Sequence, residues 1–438
     1  MAWWALLLAC TKGGPAEDAP ADTAPPSDTD VPVPPDPPDA AAPGIAEALG
    51  DCGGLQEDPG PYPNQMQPGE DLGRVLLTDP DAVCNDGTPA ALYVRAATDP
   101  RHENDWVFHL QGGSDCVSYE DCATRWCGGE FYDASKMSSA WTPTTIAGVG
   151  IHSVSETNQL AGWNHVFFYY CSSDLWQGRS LATLTSLDST ATYGLHRQGH
   201  TILEAGLALA DAGLVSEDGL QVLPALTAAS TVIFTGTSAG SIGAQASLDW
   251  VAERLAPARV VGIFDAAVAP DPRFLEPTLA VTVEAESEAR SQARDLADAV
   301  PGFGDASCEA ALPDDRHWEC RSSSYLPYQW VTTPFLARMD LHDPPTGDIY
   351  VALGATQDEF GEAVAASLAS IAERTVDGGE HPGAFGPSCA EHLGLEIEAQ
   401  FLQRPVDGVT LHAATLAMLA RMPVTVIDPD GTLSVCPQ

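Results

Sequence analysis

Positive charge is scarce in this chain. Lysine and arginine together number 19 among 438 residues, against 61 aspartates and glutamates, for a net charge of -42. A phosphate backbone or an anionic membrane surface would be repelled, which excludes nucleic acid as a partner and a bare lipid surface as a docking site. Also lacking is any further apolar run of about 18 residues, the length that crosses a bilayer as a helix. No Cys-x-x-Cys pair occurs and the 11 histidines are scattered, so the usual zinc-binding spacings are missing. No internal repeat is evident. What the chain does have is apolar material, 44% of its residues, enough for a large core. The acidity therefore reads as a well-solvated exterior on a folded protein, not as disorder.

Eleven cysteines bear on compartment. Cys10 closes the run Trp3-Trp4-Ala5-Leu6-Leu7-Leu8-Ala9, a short apolar stretch that resembles a bacterial lipoprotein signal and makes residues 1–10 the signal and Cys10 the lipidated residue. Only Met1 and Ala2 stand where a positive n-region belongs, and an ordinary signal peptide with an incidental cysteine is the alternative. On either reading the chain is exported, and a lipid on Cys10 would be its sole membrane attachment. Residues 11–48, rich in Pro, Asp and Ala, read as an extended, charge-stiffened tether. The other cysteines form an even set, which in an exported chain reads as disulfides. Cys122 and Cys127 are near enough in sequence to bridge locally, while the other pairings cannot be derived from spacing.

Residues 49–438 read as one α/β domain. Ala91–Arg95, Trp106–Leu110, His165–Tyr170, Thr231–Thr235, Val260–Phe264 and Phe335–Met339 are β-branched or aromatic runs suited to buried strands. Helical spacing appears between them, at Thr201–Leu209 and Gln245–Leu255. Alternating strands and helices imply right-handed crossovers and a mostly parallel sheet with helices on both faces, as in α/β-hydrolase-like folds. Residues 270–330 break that rhythm and read as a cap or lid.

The most informative stretch is Ile233-Phe234-Thr235-Gly236-Thr237-Ser238-Ala239-Gly240-Ser241. A strand-like run ends in Gly-x-Ser-x-Gly and a helix-compatible sequence follows, the context of a nucleophile elbow that lifts a serine hydroxyl above a sheet. A serine alcohol needs an imidazole to take its proton, and the imidazole needs a carboxylate to orient it. In a doubly wound hydrolase sheet the acid follows a later strand and the histidine comes after it. The run Pro334–Pro344 ends in Asp340 and Asp343, and the histidines downstream are His381, His392 and His412. Spacing alone does not choose among them. Gln111-Gly112-Gly113-Ser114, directly after the strand ending at Leu110, places paired glycines where backbone amides could face an oxyanion.

Five segments carry a resemblance in order. They are Trp106 to Gly113 with Cys116; Trp163 to Gly178, including Tyr170-Cys171-Ser172-Ser173-Asp174-Leu175-Trp176-Gln177-Gly178; Gly236 to Gly240; Trp318-Glu319-Cys320 leading into Pro334 to Asp343; and Phe385-Gly386-Pro387-Ser388-Cys389-Ala390-Glu391-His392. Together they resemble the pectin acetylesterase / Notum family, with Tyr170 to Gly178 especially similar to the Notum branch. The resemblance implies Ser238 as nucleophile, Asp343 as orienting acid with Asp340 as fallback, and His392 as base. It implies an oxyanion hole from the amides of Gly113, Ser114 and Ala239, Trp176 as a substrate-binding residue, and a Cys116–Cys171 bridge. The chain departs from the family after the paired glycines, where Ser114-Asp115 replace an aromatic near the acyl pocket, and at Ser241 in place of a glycine.

These implications amount to an exported serine carboxylesterase that needs no cofactor or metal and acts on acyl esters, with acetylated polysaccharide as the leading substrate. The small polar wall at Ser114-Asp115 favours a short acyl group. Two other readings stay open: a Notum-like lipid-acyl esterase or thioesterase, and an inactive, tethered binding protein on the same fold.

Overall fold

Side chains along the central strands alternate between two apolar cores, and that alternation builds the architecture. The computed structural model describes residues 42–50, 52, 66–128, 134–270, 294, 297–352 and 354–429. Its main sheet has ten strands: β1 (Leu72–Leu76), β2 (Ala91–Arg95), β3 (Asp105–Leu110), β4 (Thr145–Ile146), β5 (Asn164–Phe168), β6 (Thr231–Thr237), β7 (Arg259–Asp265), β8 (Phe335–Arg338), β9 (Gly383–Gly386) and β10 (Thr425–Ile427). The spatial order is β10-β9-β8-β7-β6-β3-β5-β2-β1-β4. From β10 through β5 all neighbours are parallel, and β2, β1 and β4 close the far edge antiparallel.

Among the described residues the α-helices are α1 (Ile45–Leu49), α2 (Tyr119–Trp126), α3 (Gly199–Ala210), α4 (Ala239–Arg254), α5 (Ala306–Ala311), α6 (Pro344–Ala352), α7 (Gln357–Ala372) and α8 (Leu411–Leu419). In β6, Val232 and Phe234 point to the core shared with α3, α4 and α7. Ile233 points to the opposite core, shared with α8. A period of two with both faces covered is what makes these strands read as unbroken apolar runs. Helix α7 starts on a capping box, in which Thr356 and Glu359 satisfy each other's backbone amides.

The chain runs from β3 out to β5 on one side, then returns to β6 on the other side of β3. The carboxyl ends of β3 and β6 therefore flank a topological switch point, with Leu110 opposite Gly236. Open α/β sheets bind ligands in the crevice at such a point.

The expected signal, residues 1–10 with Cys10, lies outside the described residues, as do residues 11–41 of the expected tether. Its last residues are not extended. Ile45–Leu49 form α1, Ile45 is fully buried against Tyr193 and Leu195, and the Gly194 amide donates to Pro43 O at 2.8 Å. The fold thus begins before residue 49, because Ile45 and Leu49 are apolar at helical spacing and have a hairpin to cover. Of the expected lid, residues 271–293, 295 and 296 lie outside the described residues. The described part is tied down: Cys308–Cys320 closes it, the Phe303 amide donates to Gln177 O at 2.7 Å, and Gln177 Nε2 donates to Arg321 O at 2.8 Å.

Both expected disulfide pairings need correction. Cys122 pairs with Cys116 and Cys127 with Cys52. Cys122 lies within α2 and Cys127 is its C-cap, so five positions of helical rise point the two thiols to different faces. Cys171, expected to meet Cys116, pairs instead with Cys84. Asn85 donates its backbone amide to Cys171 O at 2.9 Å, which brings that loop alongside the end of β5. Cys389 is also disulfide-bonded.

Candidate active site

Ser238 sits between β6 and α4 with φ 54° and ψ -122°, a backbone conformation costly for any residue with a Cβ. The flanking glycines make the turn sterically feasible. A Cβ on Gly236 would lie 2.2 Å from Gly240 O, and one on Gly240 would lie 1.9 Å from Leu110 O. The Ser238 amide is held by Asp265 O at 2.8 Å. The residue stays partly exposed while both neighbours are buried, so the turn presents its hydroxyl at the sheet edge.

The loop after β3 approaches from the other side of the switch point. Three successive carbonyls of this loop are each pinned from behind. Trp176 Nε1 donates to Gln111 O at 2.9 Å, Lys136 Nζ to Gly112 O at 3.3 Å, and Arg125 Nη2 to Gly113 O at 2.6 Å. In a trans peptide the N–H points opposite its C=O. Pulling these carbonyls back therefore turns the amides of Gly112, Gly113 and Ser114 the other way. Lys136 and Arg125 are themselves buried, so the loop is stiffened by two desolvated cations. Ala239 is the first residue of the 16-residue helix α4, where an amide has no intrahelical acceptor and the helix dipole favours negative charge.

The structure places Trp176 differently from expectation. It is wholly buried, packed edge-on against Phe168 and close to Tyr170, with its indole N–H spent on Gln111. It supports the loop from beneath and has no surface to offer a substrate. Ser114 is exposed and Asp115 partly so. Burial pushes the Asp115 carboxyl above its ordinary range, against the pull of Arg125 and Arg197.

Among the histidines left open by spacing, His392 meets an acid. Its Nδ1 lies 2.6 Å from Asp343 Oδ1, with the ring 19% exposed and the carboxylate fully buried. Asp343 Oδ2 accepts from the Thr346 amide at 3.0 Å. His381 is exposed and its Nδ1 lies by Arg374 O. His412 accepts from the Gln159 amide at 3.2 Å through Nε2. Asp340 is turned to Arg338, and burial raises its carboxyl to about 8. For His392, burial works against protonation. The charge and hydrogen bond of Asp343 outweigh it, so the imidazole is held above its ordinary range, with Asp265 adding and Arg338 subtracting.

Asp265, Arg338, Lys136 and Arg125 were not singled out from the sequence. The available signal was a lone charge ending an apolar strand, as in Val260-Val261-Gly262-Ile263-Phe264-Asp265 and Phe335-Leu336-Ala337-Arg338. A buried charge must be paired.

A mostly parallel, doubly wound sheet with Ser238 on a strained strand-to-helix turn at its switch point, and a His–Asp pair beyond β8 and β9, defines an α/β-hydrolase-like protein. Comparison with known proteins narrows the class. The family model described as Pectinacetylesterase matches residues 68–273. The chain is 32% identical over 200 residues to human palmitoleoyl-protein carboxylesterase NOTUM, covering 44% of this chain and 35% of that protein. It is 27% identical over 384 residues to palmitoleoyl-protein carboxylesterase notum2 of Xenopus laevis, covering 84% and 71%. It is 36% identical over 112 residues to the inactive palmitoleoyl-protein carboxylesterase notum1b of Danio rerio, covering 25% of this chain and 74% of that one. The matched segment thus spans about a third of the human relative's length. The solved structure of the Wnt deacylase Notum from Drosophila superposes with a TM-score of 0.65 at 22% identity, covering 84% of this chain and all of that one. The chain belongs to the pectinacetylesterase family, on its Notum-like branch.

Proposed function

We propose that this protein is an exported serine carboxylesterase with Ser238, His392 and Asp343 as its triad. The observation that carries the reading is the 2.6 Å contact between His392 Nδ1 and Asp343 Oδ1, at the same carboxyl edge of the sheet where Ser238 is held at φ 54°. In this reading neutral His392 takes the Ser238 proton through Nε2 as the oxygen attacks the ester carbonyl. Asp343 fixes the tautomer that carries a proton on Nδ1 and stabilises the imidazolium. The amides of Gly113, Ser114 and Ala239 receive the developing oxyanion, each contributing about 3 kcal/mol of barrier lowering. His392 then returns the proton to the leaving alcohol. A water activated by the same ring releases the carboxylic acid from the acyl-enzyme and regenerates Ser238.

The leading substrate is an acetyl ester of a polysaccharide. Support comes from the residues that follow the paired glycines: a small, exposed Ser114 and an acidic Asp115 make a poor wall for a long hydrocarbon. The chain carries a net charge of -42, which would repel the carboxylate anion that hydrolysis releases and favour its departure. Bonded cysteine pairs fit an oxidising compartment, and a lipid on Cys10 would hold the domain at the cell envelope. A second reading, hydrolysis of a lipid acyl ester, is favoured by the relatives, which are palmitoleoyl-protein carboxylesterases. A panel of acetyl, butyryl and palmitoyl p-nitrophenyl esters with acetylated polysaccharides separates the two. Acetyl and butyryl esters should be preferred; preference for palmitoyl would replace this reading with the lipid one. Absence of turnover and of fluorophosphonate labelling would favour an inactive binding protein.

A further inference from the structure

One buried carboxylate touches both halves of the site. Asp265 ends β7 and is fully buried. Towards the serine, its backbone carbonyl accepts from the Ser238 amide at 2.8 Å and its Oδ2 accepts from Thr237 Oγ1 at 3.1 Å. Towards the histidine, Oδ2 accepts from the amides of Gly394 and Leu395 at 2.9 and 2.8 Å. On Oδ1 it receives Arg338 Nη1 at 2.9 Å, and that same nitrogen donates to His392 O at 2.8 Å. Arg338 Nη2 is taken up by Asp340. The carboxylate thereby uses all of its acceptor capacity.

We infer that Asp265, acting with Arg338, is a positioning residue that sets the height of the His392 ring over the Ser238 hydroxyl, independently of Asp343. This rests on the triad reading above. The physical reason lies in the geometry of the loop. Asp343 grips only Nδ1 and leaves the ring free to swing about that contact. Fixing the backbone at His392, Gly394 and Leu395 removes the swing, and anchoring it on the residue that holds the Ser238 amide refers both groups to one atom set. Charge-assisted hydrogen bonds suit the task because they are short and directional, so each fixes an orientation as well as a distance. The close approach is visible at Gly394, where a Cβ would lie 2.8 Å from Arg338 Nε and 3.0 Å from Asp265 Oδ1.

The network also faces the imidazole electrostatically. The groups around the ring are Asp343, Asp265 and Arg338. Glu391 precedes it and accepts the His392 amide, and Asp340 with Arg404 lies one layer further out. Loss of the Asp265 carboxylate removes one group that favours imidazolium.

Asp265→Asn in the full-length protein should lower kcat for p-nitrophenyl acetate by about 10- to 100-fold with little change in KM, the size expected when a reacting group is misplaced. Fluorophosphonate labelling of Ser238 should slow in parallel. The acid-side midpoint of the pH–rate profile should move to lower pH, which a purely structural role would not do. Gly394→Ala keeps every charge and displaces the loop; it should lose kcat to a similar degree with the midpoint of the parent protein. A folded Asp265→Asn variant with kcat within about twofold of the parent and an unmoved midpoint overturns the inference. Should Asp265→Asn fail to fold, a folded Gly394→Ala protein with parental kcat overturns it. If the parent protein itself neither labels nor turns over esters, the triad reading falls, and this inference with it.

Discussion

Arg125 donates through Nη2 to the carbonyl of Gly113 at 2.6 Å, and one residue earlier Lys136 does the same to Gly112. Two cations buried behind a glycine pair leave the loop amides aimed at the sheet's switch point.

Lys136→Met removes one of these donors while keeping most of the side-chain volume. The Gly112–Gly113 peptide would then lose the group that orients it. We expect kcat for p-nitrophenyl acetate to fall about tenfold or more with KM nearly unchanged, the pattern of an interaction made only in the transition state. Steady-state kinetics checks this, and an unchanged kcat would show that the amide needs no such support.

The pH dependence of turnover follows from the raised His392 imidazole. In the proposed triad only the neutral ring can accept the Ser238 proton, so protonation on the acid side would remove activity. Because Asp343 outweighs the effect of burial on the ring, kcat/KM should decline through a midpoint above about 6.5, the ordinary imidazole value. A midpoint below that value, or a flat profile to pH 4, would contradict His392 as the base.

Gly240→Ala places a methyl 1.9 Å from Leu110 O, where the β3 and β6 ends meet. The backbone has no flexible side chain to move aside, so overpacking should cost about 3 kcal/mol or more. Denaturant unfolding would measure the loss.

The Cys84–Cys171 bridge spans a sequence separation of 87. Replacing both cysteines by alanine should destabilise the fold by about 4 kcal/mol, chiefly by freeing the unfolded chain. A reduced midpoint in denaturant, with activity retained below the transition, is the expected result.

Much of the fold was legible because its central strands are buried on both faces, so runs such as Val260–Phe264 declare themselves without context. The elbow was legible because its glycines are needed by close approach, and Gly-x-Ser-x-Gly after a strand records that need directly. Of the antiparallel edge, β2 was legible at Ala91–Arg95 but β1 and β4 were not, since Leu72–Leu76 carries Gly73 and Arg74 and β4 has only two residues. Disulfide pairing was hidden because it depends on which loops the sheet brings together: Cys171 meets Cys84 only once β5 lies beside β2. The resemblance assigned Trp176 to substrate binding, but aromatic side chains serve both surfaces and cores, and its burial puts this one in the core. The Asp265–Arg338 network escaped for a related reason. Each member is a single charge in its own segment, and the pairing exists only through space.

The most direct measurement is turnover of p-nitrophenyl acetate by the parent protein and by Ser238→Ala. The account predicts that the parent turns the ester over, and that the folded variant does so at the rate of the uncatalysed background and takes no fluorophosphonate label. Turnover retained by folded Ser238→Ala would contradict it.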